Sequence, residues 1–217
     1  MGVNESGDRK QSDIPLAVER LRSRREEMGI SVRALAQRIG VSASLVSQIE
    51  TGKTNPSVGT LVAITTELDL SLAELFSDPA APGTGSGDPA SHPGSPVLRH
   101  ADRLSFQLES GVSWDRLTPD GADEVDFLYA VYEVGGTSSP ADAPMRHHGR
   151  EYGLVLSGRL GAMVGFESYE LEAGDSIVFN SDLPHRLWTI GEEPAVAVWT
   201  VIGRGALSLS RSFNNRS

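Results

Sequence analysis

The side chains with the clearest chemistry lie in two short segments of the second half of the chain. Residues Met145–Glu151 read Met-Arg-His-His-Gly-Arg-Glu, and a second segment runs from Gly174 to His185. In an extended segment residues two apart share a face, so Met145 and His147 point the same way. Imidazole nitrogens and carboxylate oxygens are common ligands of divalent metal ions. We therefore predict that His147, Glu151 and His185 converge on a metal site; a metal-free cavity, in which they hydrogen-bond one another, is the open alternative.

A second group of residues suits contact with DNA. The segment Ser31–Glu50 predicts two short helices, from about Ser31 to Arg38 and from about Ser42 to Thr51. Gly40 lies between them, where the turn needs a positive φ, and Ser42 is a good N-cap. The apolar spacing is that of a helix-turn-helix, whose second helix presents its outer face to DNA. That face is small and polar, as groove contact requires: Ala43, Ser44, Ser47 and Gln48.

Three further helices are predicted to complete a bundle around this motif. The first runs from Asp13–Pro15 to Met28, because Asp is a good cap and Pro suits the first helical turn. Asn55 and Pro56 are predicted to start the fourth helix. Ser71 and Glu74 predict a capping box for a last short helix that ends at Phe76. We therefore expect a five-helix domain over residues 13–77, preceded by a disordered tail over residues 1–12.

The rest of the chain predicts strands that follow a linker. Residues 78–97 are almost all Pro, Gly, Ser, Ala and Asp, which is typical of a flexible linker. Between residues 98 and 210, short segments rich in β-forming residues are separated by glycines, a pattern that indicates an all-β sandwich or barrel. The predicted strands are Asp126–Val134, Tyr152–Ser157, Leu160–Val164, Tyr169–Leu171, Ser176–Phe179, Arg186–Ile190 and Ala195–Ile202. Residues 211–217 are predicted to be a tail.

The charge pattern indicates two domains with different partners. The 217 residues carry a formal net charge of −10, which is unusual for a protein that meets DNA. Residues 15–56, however, hold seven basic and four acidic residues, whereas residues 78–217 hold ten basic and nineteen acidic residues. The first part can meet phosphates, and the second cannot bind nucleic acid nonspecifically.

Two absences narrow the class of protein. The chain has no cysteine, which excludes disulfides and thiolate metal sites. No apolar run approaches the length of a membrane span, and no signal segment opens the chain, so the cytoplasm is the expected location.

Residues 15–77 resemble the Cro/C1-type, or XRE, helix-turn-helix family, whose fold is a lambda-repressor-like bundle. The resemblance rests on Gln37, on Ile49-Glu50-Thr51-Gly52 and on Asn55-Pro56-Ser57, besides the helix pattern. It implies that the second motif helix enters the major groove, where the amide of Gln48 can pair with adenine. The implied DNA-binding residues are Ser31, Arg33, Gln37, Ser42, Ala43, Ser44, Ser47, Gln48, Lys53, Thr54 and Asn55; among them Ser31, Arg33, Gln37 and Lys53 to Asn55 are candidate phosphate contacts.

The two segments with the histidines resemble the two motifs of the cupin family, a jelly-roll β-barrel. His147, Glu151 and Gly158 match the second histidine, the glutamate and the glycine of the first motif, and Gly174 and His185 match the second motif. Met145 stands where the first histidine belongs, and a thioether is a poor ligand for hard or borderline divalent ions. The resemblance implies a small-molecule pocket and three ordinary ligands for an ion such as iron, manganese, zinc or nickel.

These observations predict a sequence-specific transcriptional regulator and not an enzyme. We expect the helical domain to bind operator DNA as a homodimer, and the cupin barrel to sense a small-molecule effector with or without a metal ion. The alternative is a mononuclear non-heme iron enzyme that resembles the hydroxypropylphosphonate epoxidases, because two histidines and a carboxylate are the ligands that such oxygenases use. An antitoxin or a scaffold is a third possibility, although no residue points to a protein partner.

Overall fold

The computed structural model describes residues 14–75, 95–119 and 125–203. The two predicted tails, the proposed cap Asp13, the predicted helix end Phe76 and all but the last three residues of the predicted linker lie outside these ranges.

The first described range is helical. Its helices are α1 (Ile14–Glu27), α2 (Val32–Ile39), α3 (Ala43–Ile49), α4 (Val58–Glu67) and a single helical turn, α5 (Leu72–Leu75). The expected five-helix bundle is therefore four helices and one turn among the described residues. The capping box that starts the turn does form, since the Ser71 amide donates to Glu74 Oε2 at 2.7 Å and the Glu74 amide donates to Ser71 Oγ at 3.0 Å. None of the described helices is long and apolar enough to span a membrane.

Local hydrogen bonds fix the helix-turn-helix. Gly40 ends α2 with φ 72°, as the sequence predicts, and the Ser42 hydroxyl accepts from the Leu45 amide at the start of α3. The predicted start of α4 is wrong by two residues. Ser57 is the cap in place of Asn55, because its hydroxyl accepts from the Thr60 amide at 3.2 Å.

A buried ion pair ties α1 to the end of α3. Arg25 Nε donates to Glu50 Oε1 at 2.6 Å and Arg25 Nη2 donates to Glu50 Oε2 at 2.8 Å, while Nη1 donates to the Ile30 carbonyl at 2.9 Å. Hydrogen bonding to Glu50 raises the pKa of Arg25. The two-point contact holds the end of α3 in one orientation, because a planar guanidinium matches a carboxylate only in that geometry.

The described residues after position 104 include nine antiparallel strands in two sheets. A six-stranded sheet has the order β1-β2-β3-β9-β4-β7, and a three-stranded sheet has the order β6-β5-β8. The strands are β1 (Ser105–Leu108), β2 (Val112–Arg116), β3 (Val125–Tyr132), β4 (Arg150–Ser157), β5 (Arg159–Val164), β6 (Glu167–Leu171), β7 (Ser176–Asn180), β8 (His185–Ile190) and β9 (Ala195–Ile202). All seven predicted strands are present, and β1 and β2 were missed.

The sequence predicts a closed barrel, and this prediction is wrong. Among the described residues the strands form two separate sheets. The edge of β8 pairs instead with the connection between β3 and β4, through isolated bridges Thr137–Trp188 and Met145–His185. The Ser138 amide donates to the Leu187 carbonyl at 2.8 Å, and Met145 and His185 exchange two backbone hydrogen bonds of 2.9 Å. The connection between β3 and β4 therefore satisfies the backbone donors and acceptors at this edge of β8. The strands form a cupin-like pair of sheets.

The helical part contacts the strands directly at the start of α4. The Gly59 amide donates to the Ser138 carbonyl at 2.9 Å, and the Glu109 amide donates to the Pro56 carbonyl at 3.1 Å. Val58 and Val62, at 1% and 2% exposure, join the same apolar cluster as the sheet residues Trp114 and Trp199.

Candidate functional site

The three predicted ligands come together inside the strand domain. His147 lies just before β4, Glu151 is the second residue of β4, and His185 opens β8, so two separate sheets supply the group. Glu151 Oε1 lies 2.8 Å from His147 Nε2 and 3.1 Å from His185 Nε2. All three side chains are buried, and their ligand atoms lie within 4.8 Å of one another. The predicted convergence is therefore present in the structure.

The histidine tautomers are set by backbone carbonyls. His147 Nδ1 lies 3.1 Å from the carbonyl oxygen of His148, and His185 Nδ1 lies 2.9 Å from the carbonyl oxygen of Leu183. A carbonyl oxygen only accepts, so each Nδ1 carries the proton, and in the neutral ring each Nε2 offers a lone pair. Both Nε2 atoms lie next to Glu151 Oε1, where an Nε2–H would donate to the carboxylate and a bare Nε2 would bind a cation.

The carboxylate of Glu151 is held in place from its other side. Trp199 Nε1 donates to Glu151 Oε2 at 2.6 Å in the interior. Burial alone would raise the pKa of Glu151, but the imidazoles of His147 and His185 outweigh burial and hold the pKa well below its usual range. Glu151 is thus a fixed negative charge at the centre of the site.

This donor set fits a divalent cation. Glu151 Oε1 and His185 Nε2 are buried and have no hydrogen-bond partner among the described residues, although they lie 3.1 Å apart. Two ligands on neighbouring octahedral positions, each about 2.1 Å from a metal ion, lie about 3.0 Å apart. The two distances from Glu151 Oε1 to the imidazole nitrogens are therefore those of neighbouring ligands on one ion. The backbone hydrogen bonds of the two imidazoles are the outer contacts that ligating histidines commonly make.

A pocket adjoins these three residues, and part of its wall comes from the helical domain. Trp114, Leu128, Tyr132, Leu187 and Val201 line it from the sheets, and Val58 and Val62 line it from α4. Burial, with the nearby charge of Glu151, raises the pKa of Tyr132. Sequence reasoning missed the two valines, because their apolar spacing on α4 is equally that of residues in a helical core. Met145 also lines the pocket and packs close to Gly59.

The predicted DNA-contacting residues lie on and around α3. Ser44, Ser47 and Gln48 are exposed, and Gln48 Nε2 donates to Ser44 Oγ at 3.3 Å, whereas Ala43 is half-buried. Ser31 and Ser42 cap α2 and α3 and are exposed. The remaining candidates are Arg33, Gln37 and Lys53, which are exposed, and Thr54 and Asn55, which are half-buried. The reading face of α3 is therefore open in the same structure in which α4 contacts the strands.

Comparisons with known proteins agree with both domains. A helix-turn-helix family model matches residues 21–75, and a cupin domain model matches residues 128–201. The chain is 30% identical over 169 residues to the HTH-type transcriptional regulator PuuR of Escherichia coli (strain K12), a match that covers 77% of this chain and 84% of PuuR. The chain belongs to this family of HTH-type transcriptional regulators.

Two further similarities extend over most of this regulator. It is 26% identical over 173 residues to the HTH-type transcriptional regulator SutR of Escherichia coli (strain K12), covering 80% of this chain and 86% of SutR. A crystal structure of an HTH_3 family transcriptional regulator from Vibrio cholerae has 27% identity and a TM-score of 0.62, covering 88% of this chain and 96% of that one. The prediction of a DNA-binding transcriptional regulator rather than an enzyme is confirmed, because these relatives are regulators.

The first prediction concerns the contact that orients Glu151. Trp199→Phe removes the indole donor and leaves Glu151 Oε2 buried without it, which typically costs about 2 kcal/mol of unfolding free energy. Trp188→Phe is the matched control, since it removes the same indole N–H from a half-buried ring that stacks on Arg186. Urea unfolding followed by the fluorescence of the remaining tryptophans measures both. Equal losses in the two variants would contradict a special role for Trp199.

Proposed function

We propose that this DNA-binding transcriptional regulator reads its operator with α3 and changes its operator affinity when a small molecule enters the pocket beside Glu151. The helical domain, residues 13–77, is the reader in this proposal, and the cupin-type domain, residues 98–210, is the sensor. The exposed polar face of α3 carries the first half of the proposal. The buried donor group that borders an apolar pocket carries the second half, because such a combination is typical of small-molecule sites. A regulator of transcription works on chromosomal DNA, so we place its action in the cytoplasm.

The reading surface combines two kinds of contact. Gln48 and Ser44 share one face of α3 and can meet base edges, and the amide of Gln48 offers both a donor and an acceptor to adenine. Arg33, Gln37 and Lys53 surround this face and can meet phosphates, which position a domain without reading sequence. The remaining candidate contacts are Ser31, Ser42, Ala43, Ser47, Thr54 and Asn55.

The second prediction separates these two kinds of contact. Gln48→Ala should weaken binding to the cognate operator by about 1–3 kcal/mol and relax the preference at one base pair. Lys53→Ala should weaken binding to all sequences alike and reduce the salt slope by about 1. Fluorescence anisotropy with an operator selected from genomic fragments measures both effects, with Ser168→Ala, an exposed position on β6, as the control. An unchanged base preference in Gln48→Ala would contradict the proposed role of Gln48.

We further propose that a divalent ion, such as iron, manganese, zinc or nickel, binds His147, Glu151 and His185. Glu151 Oε1 and His185 Nε2 support this assignment, because both are buried without a hydrogen-bond partner among the described residues and a cation would satisfy both. A bound ion would supply positive charge to hold an oxygen-bearing effector at the end of an otherwise apolar pocket. Met145 does not take part, since its thioether suits softer ions.

The third prediction tests metal binding with two neighbouring histidines. His147→Ala removes a buried donor and should lower affinity for Mn(II) or Zn(II) by at least tenfold in equilibrium dialysis. His148→Ala is the matched control, because His148 is exposed and its Nδ1 lies 3.0 Å from Asp182. We expect this control to bind like the parent chain. A stoichiometric ion that both variants retain would place the metal elsewhere.

We propose that the regulator acts as a homodimer through the outer face of its large sheet. This face carries six partly exposed large apolar residues: Phe127, Tyr152, Leu154, Leu156, Val178 and Ile202. They are neighbours across β7, β4, β9 and β3, since Tyr152 pairs with Val178 and Thr200, and Phe127 pairs with Thr200. Four strands of about eight residues cover roughly 500 Å². Two copies would then bury about 1,000 Å², the lower bound for a specific interface.

The fourth prediction tests this face. Leu154→Glu places a charge at its centre and should convert a dimer, of twice the 23.2 kDa chain mass, into a monomer in sedimentation velocity. Phe166→Glu is the control, because Phe166 is fully exposed in the turn between β5 and β6 and does not lie on this face. A chain that ends at residue 203 should remain dimeric. A dimer that survives Leu154→Glu, or that needs residues 204–217, would contradict the proposal.

A further inference from the structure

The pocket beside Glu151 is closed by a helix of the DNA-binding domain. Val58 and Val62 lie one turn apart on the same face of α4, and both are almost fully buried against the pocket. The Gly59 amide hydrogen-bonds the Ser138 carbonyl beside them. A Cβ at residue 59 would lie 3.4 Å from Met145 Cγ and 3.5 Å from Ser139 Cβ, so the helix approaches the strand domain closely.

The closed pocket is too small for an organic molecule. Its volume is about 20 Å³. A cavity needs about 10–15 Å³ on this scale to hold a single water molecule. One or two waters therefore fit, and any effector with several heavy atoms requires one wall to move.

The wall that can move most easily is α4. The strands that line the pocket are held by continuous ladders, as β4 is by β7 on one side and β9 on the other. The start of α4 is joined to the strand domain by two backbone hydrogen bonds and by apolar contact. Separating α4 from the sheets therefore breaks far fewer hydrogen bonds than opening either sheet.

We propose that α4 is a displaceable wall of the effector site, so that an effector and the docked DNA-binding domain compete for the same space. Leu61 and Ile64 of α4 are buried in the helical core, so displacement of α4 carries α3 with it. The inference rests on the proposed sensing function, and it adds whether the effector strengthens or weakens operator binding. While both copies are docked, a dimer holds its two α3 helices at one spacing. Release removes that fixed spacing and lowers the effective concentration of the second α3 at its half-site, so the effector weakens operator binding.

The absence of cysteine from this chain allows a direct test of docking. The variant Gly59→Cys/Ser139→Cys places two thiols with a Cβ–Cβ separation of 3.5 Å, within the range that disulfides need. Ser139 tolerates the change, because its hydroxyl has no hydrogen-bond partner among the described residues. We expect the full-length variant to cross-link under mild oxidation. Failure to cross-link while folded would overturn the docked arrangement and with it the proposal.

The competition itself is tested by filling the pocket in this cross-linking background. Val62→Trp fills it from the helix, and Leu128→Trp fills it from β3 without changing any residue of the helical domain. Each should slow cross-linking by tenfold or more. Thr66→Trp, on an exposed position of α4 one turn further along, is the control and should leave the rate unchanged. Unchanged cross-linking in both filled variants, with folding verified by circular dichroism, would overturn the competition.

The cross-linking experiments need no DNA, so they test the docking of α4 independently of operator binding. If the parent chain bound no operator, the proposed function would fail, while the cross-linking rates would still report on docking and competition. If it binds, reduced Val62→Trp and Leu128→Trp should bind operator at least tenfold more weakly than Thr66→Trp. Equal or tighter binding would overturn the assigned direction of the response.

Discussion

The buried carboxylate of Glu151 is the constraint on which the strand domain depends. A charge in the interior is costly unless partners compensate it, and here the partners come from two strands and from the segment before β4. Trp199 of β9 donates to one oxygen, and the other faces His147 before β4 and His185 of β8. The backbone must make room for this arrangement. Gly153 lies under Trp199, where a Cβ would come 2.1 Å from the ring. The ligand group, the indole and the glycine therefore act as one unit.

Much of this unit could be predicted from the sequence, because the histidines and the glutamate lie at motif spacing. The contact from Trp199 could not, since it joins residues 48 apart in the chain and depends on the register between β4 and β9. β1 and β2 were missed for a related reason. Both strands do alternate polar and apolar residues, but they are only four and five residues long with two large apolar residues each, so the local signal is weak and their pairing next to β3 decides. The predicted closure into a barrel was wrong, because the pairing partners of an edge strand are far away in the sequence and no local pattern reveals them.

The helical domain shows the same division between local and distant signals. Gly40, Ser42 and the Ser71–Glu74 capping box were predicted, because a turn or a cap involves residues within four positions of one another. The ion pair between Arg25 and Glu50 was not predicted, because charged residues are expected at the surface and these two are 25 positions apart in the sequence. Its effect reaches the exposed polar face of α3, because it fixes the end of α3 against α1. An overall charge of −10 is compatible with DNA binding, because the electric field near a surface is set by nearby charges and the helical part is basic.

The composition of residues 78–97 predicted two independent domains, and the contacts of α4 argue against full independence. A long polar segment says how far two domains can separate, but it does not say whether they prefer to touch. That preference is set by the apolar area that Val58 and Val62 bury and by the polar groups that Gly59 and Ser138 satisfy in one another. A ligand can shift such an equilibrium only by its different affinity for the docked and undocked states. A pocket with one wall on each domain meets this condition without a rigid lever, because its size depends on whether the two domains touch.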